Sequence, residues 1–198
     1  LRCLLAAFAL FLILRWRKTP IRIRAWKHFR HIFISALFLS AHWITYFYAL
    51  KFSNVAVAML SLFTFPVITS LLEPALLKTR FLWSSFIMAL MVMLGIILLV
   101  PELSMDNKVT LGALLGLISA VLYALRNLML KKYVQLYSAM TLMYHQMLYN
   151  ALLLWPAALI FDTTDVPSQL PWILALALLT TTLGHTLFVY SFKKLSIT

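Results

Sequence analysis

The sequence is poor in the residues from which most enzymes build their sites. Its 198 residues include one cysteine, four glycines and five acids. The lone Cys3 excludes an intramolecular disulfide, and no Cys/His spacing of the metal-binding kind accompanies it. Four glycines provide no glycine-rich loop to cradle a phosphate. The acids, Glu73, Glu102, Asp106, Asp162 and Asp165, form no paired-carboxylate site in one water-facing region. The expectation is a protein that is not an enzyme and needs no cofactor or metal.

The shortage of acids leaves seventeen Lys and Arg and a net charge of +12. In a soluble protein that balance would point to nucleic acid. Here the bases sit in the breaks between apolar runs, so the charge describes topology and no nucleic-acid partner is expected. What the chain has in abundance is apolar surface, with 64% hydrophobic residues and a mean hydropathy of +0.96. That composition reads as an all-α integral membrane protein whose first partner is the lipid bilayer.

Seven spans are predicted: Cys3–Leu14, Ile32–Leu50, Val55–Leu77, Phe81–Val100, Val109–Leu130, Ala139–Phe161 and Trp172–Phe192. Most approach the ~20 residues that a membrane crossing requires. Between the first two lies RWRKTPIRIRAWKHFR, residues 15–30, with seven bases and no acid, and such loops are held on the cytoplasmic side. Alternation then puts loops 78–80 and 131–138 and the pair Lys193–Lys194 on the same side, thirteen of the seventeen bases in all. Arg2, Lys51 and Lys108 fall outside, and Arg126 lies within a span. The sequence begins at Leu1, with Arg2 directly before an apolar run already under way, and KKLSIT ends where another helix would begin. The reading is of a fragment cut at both ends.

The stretch Phe47–Arg80 is the least ordinary part. It carries Pro66, Glu73 and Pro74 where hydrocarbon forbids freed backbone groups and charge unless other helices or a wet cavity surround them. Its start, Tyr48-Ala49-Leu50-Lys51, has an echo 142 residues later in Tyr190-Ser191-Phe192-Lys193. Lys51 falls on the outer side and Lys193 on the inner side, the opposed orientation of an inverted-repeat transporter.

ALKFSNVAVAMLSLFTFPVITSLLEPALLKTRF resembles the signature of the EamA family in the drug/metabolite transporter superfamily, with Gly112–Lys132 and SFKKLSIT as the matching parts of a second copy. The resemblance implies ten helices in two inverted five-helix halves with both termini cytoplasmic. This chain would then hold helices two to eight, with residues 1–101 as the first repeat (helix one missing) and 109–198 as the second (helices nine and ten missing). Thr79 stands where family members often carry a Glu after the fourth helix, so no role is carried over to it. The function implied is transport of a small polar or amphipathic organic metabolite, an amino acid or related solute, outward across the plasma membrane by alternating access. A passive channel and a non-transporting membrane scaffold are the alternatives.

Candidate pathway residues follow from polarity within spans. A carboxylate there costs roughly 2.5 to 3.5 kcal/mol on insertion scales, so Glu73 either faces the bundle interior, where its protonation would couple proton and substrate movement, or, four residues from the helix end, reaches headgroups or neutralises a neighbour. Arg126 lies four residues before its span's end, as Glu73 does, so the two are expected at one height and either pair, or Arg126 snorkels to the interface. Thr141, His145 and Tyr149 share a helix stripe, with Gln146 and Asn150 beside it; the stripe either lines the pathway or holds helices together. His42, with Thr45 and Tyr46, and His185, with Thr181 and Thr182, occupy corresponding helices of the two halves. Ser119, Tyr123 and Asn127 form another cavity-facing stripe beside a small-residue ridge of Gly112, Gly116 and Ala120. Trp16, Trp26, Trp155 and Trp172 are expected as interfacial anchors, whereas Trp43 lies deep in its helix. Pro66 and Pro74, with Gly112 and Gly116, are expected to shape the helices.

Overall fold

A computed structural model describes residues 1–78, 83–99, 107–156, 159 and 166–193. All regular structure among them is helical. The helices are α1 (Arg2–Trp16), α2 (Trp26–Phe52), α3 (Val55–Leu62), α4 (Phe65–Leu77), α5 (Trp83–Leu99), α6 (Lys108–Tyr133), α7 (Ala139–Leu154), α8 (Val166–Ala175) and α9 (His185–Ser191), with a π-helical stretch, Leu176–Gly184, joining the last two. Among the described residues, four helical rods are long and apolar enough to cross a bilayer: Trp26–Phe52, Val55–Leu77, Lys108–Tyr133 and Val166–Ser191. The chain is an all-α, multi-pass membrane protein. Thr79, Arg80, Glu102, Asp106, Asp162 and Asp165, Lys194, and the expected end of the sixth span at Phe161, lie outside the described residues.

Several predicted boundaries are corrected. The basic loop expected over residues 15–30 is reduced to 17–25, because α1 runs through Trp16 and α2 already begins at Trp26. Lys27 and Arg30 are therefore helical, which their long stems permit while the charges stay in the aqueous layer. Trp26 stacks on Phe29, ring centroids 5.1 Å apart, and stiffens that first turn. VPSQLP, expected as part of a loop before Trp172, is instead the start of α8. Pro167 is the second residue of α8, where a missing N–H leaves no intrahelical bond unmade. The fifth span extends by one residue at its start and three at its end, to Lys108–Tyr133.

Two units divide the described chain. One holds residues 1–40 and 129–193, the other 41–128. In the first, α1 packs on α7 and on the π-helical stretch, burying Ala6, Ala7, Leu10 and Leu14. Lys18 takes a left-handed conformation (φ 50°) and Thr19 N–H donates to the Leu14 carbonyl at 2.9 Å, which ends α1 and turns the chain into an extended strap.

In the second unit the rod Val55–Leu77 is interrupted at Phe63–Thr64. Pro66 explains the break, since its ring opposes a continuous helix over the residue four before it and its nitrogen donates nothing. Thr64 compensates locally by donating its hydroxyl to the Ser61 carbonyl at 2.7 Å. Asn54 caps α3 by accepting from Val57 N–H at 2.9 Å. Pro74 lies inside α4 one turn past Ser70, whose hydroxyl donates to the Val67 carbonyl at 2.8 Å. Helix α6 approaches the end of α2 and the length of α3 so closely that a Cβ on Gly112 would stand 2.5 Å from Ser53 Cβ, and one on Gly116 2.5 Å from Ser61 Cβ. Only glycine allows that approach. Along α5, Ile87, Leu90, Met91, Leu94 and Leu98 are exposed, an apolar surface suited to lipid.

Candidate functional site

The richest polar constellation lies in the second unit, where α2, α4 and α6 contribute side chains. His42 on α2 is buried, and Ser119 on α6 holds its ring: Ser119 Oγ is 2.7 Å and the Ser119 carbonyl 3.1 Å from His42 Nδ1. Ser119 Oγ in turn donates to the His42 carbonyl at 3.0 Å. A hydrogen bond to a carbonyl requires the proton on Nδ1, so the neutral imidazole presents Nε2 as an acceptor.

Aromatic rings enclose this histidine. Tyr123 lies 4.7 Å from it, centroid to centroid, and the half-buried Tyr46 stacks at 6.2 Å. Phe65, the first residue of α4, meets Tyr123 edge-on at 4.8 Å. On the next turn of α6, Arg126 sits fully buried, 0% exposed, with its guanidinium carbon 5.7 Å from the Tyr123 ring centroid. Such placement combines cation and ring face away from water, where the attraction is strongest. Arg126 Nη1 donates to Asn127 Oδ1 at 2.8 Å. The Asn127 amide nitrogen and the Ser61 hydroxyl are buried with no hydrogen-bond partner among the described residues. Glu73 on α4 is also buried in this unit, 5% exposed. Chemically, the cluster offers one fixed cation, one titratable imidazole, two phenols, an amide donor and an apolar ring wall. Trp43, next to His42, is buried too.

The α7 stripe belongs to the first unit and is engaged differently. Thr141 Oγ1 donates to the Pro20 carbonyl at 2.9 Å, and His145 Nε2 to the Ile21 carbonyl at 2.8 Å. That fixes the proton on Nε2 and leaves Nδ1 to accept from the Tyr149 hydroxyl at 3.3 Å. Gln146 Nε2 donates to Ser35 Oγ at 2.6 Å, and Ser40 Oγ to Asn150 Oδ1. Tyr149 also fills an aromatic corner with Phe29 and Phe33. These bonds tie α7 to the strap after α1 and to the first half of α2. His28 extends the tie through Nδ1 to the Tyr137 hydroxyl at 2.9 Å.

His185 begins α9, half-buried, where the π-helical stretch ends. Around it the hydroxyls of Thr181, Thr182 and Thr186 have no hydrogen-bond partner among the described residues. Sequence reasoning missed Phe65 as part of the aromatic enclosure and Thr186 as an orphaned hydroxyl. The first was concealed by its place beside Pro66 in an apolar run, and the second by the ordinary look of HTLF. Among the described residues no group of three or more His, Cys, Asp or Glu is placed to hold a metal ion.

The profile of the EamA-like transporter family matches residues 1–100 and 110–198, nearly the whole chain in two segments. No curated protein and no solved structure shows significant similarity to it.

Proposed function

Because the chain belongs to the EamA-like transporter family, we propose that it moves a small organic metabolite, an amino acid or related solute, outward across the plasma membrane by alternating access. The observation that carries this reading is the complete burial of Arg126 against the Tyr123 ring in a membrane helix, with His42 held beside that ring. A buried guanidinium suits a carboxylate, and the ring wall suits an apolar side chain. The rocking of one five-helix half against its inverted partner would expose the cavity to each side in turn. Residues 1–101 and 109–198 are the two repeats in this scheme.

Glu73 supplies the coupling. Its burial in a span supports a role for its protonation in substrate movement, and its pairing with Arg126 gives the proton something to release. Metabolite profiling of cells expressing the whole protein, against cells expressing Glu73→Gln, tests the mechanism: export by the wild type should vanish or lose its dependence on a proton gradient in the variant. Identical profiles would remove Glu73. The pairing has its own test, since Glu73→Arg and Arg126→Glu should each abolish export and the double exchange should restore part of it.

Loops 15–30, 78–80 and 131–138 face the cytoplasm in this proposal. Cys3 is buried and is the one cysteine of these 198 residues, so single cysteines introduced within them report sidedness once any others in the whole protein are replaced. A cysteine at Lys18 should react with an impermeant thiol reagent only from the cytoplasmic face, and one at Lys51 only from outside. Reversal of that pattern would overturn the topology.

A further inference from the structure

Within the first unit, a cavity of about 630 Å³ opens between α1, the start of α7 and the helix running from the π-helical stretch into α9. Its long walls are apolar, with Leu10 and Ile13 on one side and Leu183 and Leu187 on the other. One end is basic. Helices α1 and α9 run into that end and α7 runs out of it, so Arg17, one residue past α1, and Lys193, two past α9, meet the first residues of α7 there. The N-terminus of α7 adds its partial positive charge to the two cations.

Deeper in the cavity stand Thr182 and Thr186, one helical turn apart on the same face. Neither hydroxyl has a hydrogen-bond partner among the described residues, although Thr182 is only 8% exposed. Threonines in apolar helices ordinarily donate to a carbonyl of the preceding turn. Thr180, nearby, does so, donating to the Leu176 carbonyl at 2.7 Å. Two unmet donors facing one cavity therefore mark where acceptors of a bound molecule belong.

We propose that this cavity binds one anionic phospholipid, with Arg17 and Lys193 on the phosphate and the Thr186 and Thr182 hydroxyls on the two ester carbonyls. The spacing suits that order of groups. Thr186 lies seven residues from Lys193, roughly 10 Å along the axis, and Thr182 roughly 16 Å. Arg17 and Lys193 line the same cavity, and their long stems are able to span the first part of that distance to a phosphate above the esters. The leucine walls flank the glycerol backbone beside the threonines, and the acyl chains leave the cavity past Leu178 at its deep end. A free phosphate would use the cations and leave the apolar slot empty. A zwitterionic lipid would fill the slot without net attraction to the basic end.

Each basic residue near an anionic headgroup contributes about a fivefold preference over neutral lipid, so two give on the order of twentyfold. Native mass spectrometry of the whole protein in detergent, titrated with phosphatidylglycerol, phosphatidylcholine or inorganic phosphate, reads this directly. Phosphatidylglycerol should be retained on the order of twentyfold better than phosphatidylcholine. The Arg17→Gln/Lys193→Gln variant should erase that preference while keeping phosphatidylcholine binding, which also reports that it has folded. Ether-linked phosphatidylglycerol, lacking the carbonyls, should bind a few-fold more weakly than the ester form to the wild type and equally to Thr182→Val/Thr186→Val. Equal retention of the two ester lipids, or a preference that survives the double glutamine variant, overturns the proposal. Competition by inorganic phosphate as strong as by the lipid assigns the basic end to a free anion instead.

Discussion

Helices α6 and α7 are both apolar rods interrupted by polar residues, yet the two use polarity for different ends. On α7 the polar groups are neutral, and most close on a neighbour within their own unit: Thr141 and His145 on the carbonyls of Pro20 and Ile21, Gln146 on Ser35, Asn150 on Ser40. One amide nitrogen, that of Asn150, is left over. On α6 the series Ser119, Tyr123, Arg126, Asn127 includes a full charge with no solvent exposure and is walled by rings from α2 and α4. Neutral groups that satisfy one another make a seam, which needs nothing else to explain it. A buried charge is far more expensive, and in the proposed function it is the group that meets the substrate.

The contrast can be broken most severely at Arg126. Substitution by Met, similar in length, should lower export by on the order of a hundredfold while the protein still folds, because a buried hydrogen-bonded charge is lost. Uptake into vesicles of reconstituted protein measures it; export within twofold of wild type would place α6 with α7 as a seam. Gly116→Ala should act next most strongly, through structure alone, costing about 2 kcal/mol in thermal or denaturant unfolding because the new Cβ meets Ser61. His42→Gln should reduce export about tenfold with little change in unfolding, since the glutamine amide can still donate to the Ser119 carbonyl but cannot titrate. The smallest effect belongs to α7: Gln146→Leu should cost about 1 kcal/mol of stability and leave the export rate per folded molecule unchanged. A large loss of export there would dissolve the distinction between the helices.

The spans were legible because a bilayer demands long apolar runs, and Val55–Leu77 has the bounds read from the sequence. Their ends were less so. At Trp26–Ile32 and Val166–Trp172, lysine, arginine and proline look like loop, although a helix end in the interface accepts charged stems and a first-turn proline such as Pro167, and here the helix also continues through Pro171. The π-helical stretch left no trace in the residue pattern, since LALLTTTLG suits an α-helix equally well, and its consequence for Thr182 and Thr186 depends on where the backbone carbonyls point. For the candidate site, His42, Tyr46, Tyr123 and Arg126 were visible as polar residues in apolar spans. Their enclosure was not, because Phe65 is apolar among apolar neighbours and only the break before Pro66 brings its ring to Tyr123.

The contact between Gly116 and Ser61 implies a rule about how this chain can change. The two positions share room for a single side chain, so growth at one demands shrinkage at the other. A Gly116→Ala chain carrying Ser61→Gly should recover much of what the alanine alone removes, and transporters of this fold that diverge here should trade bulk between the two sites rather than add it.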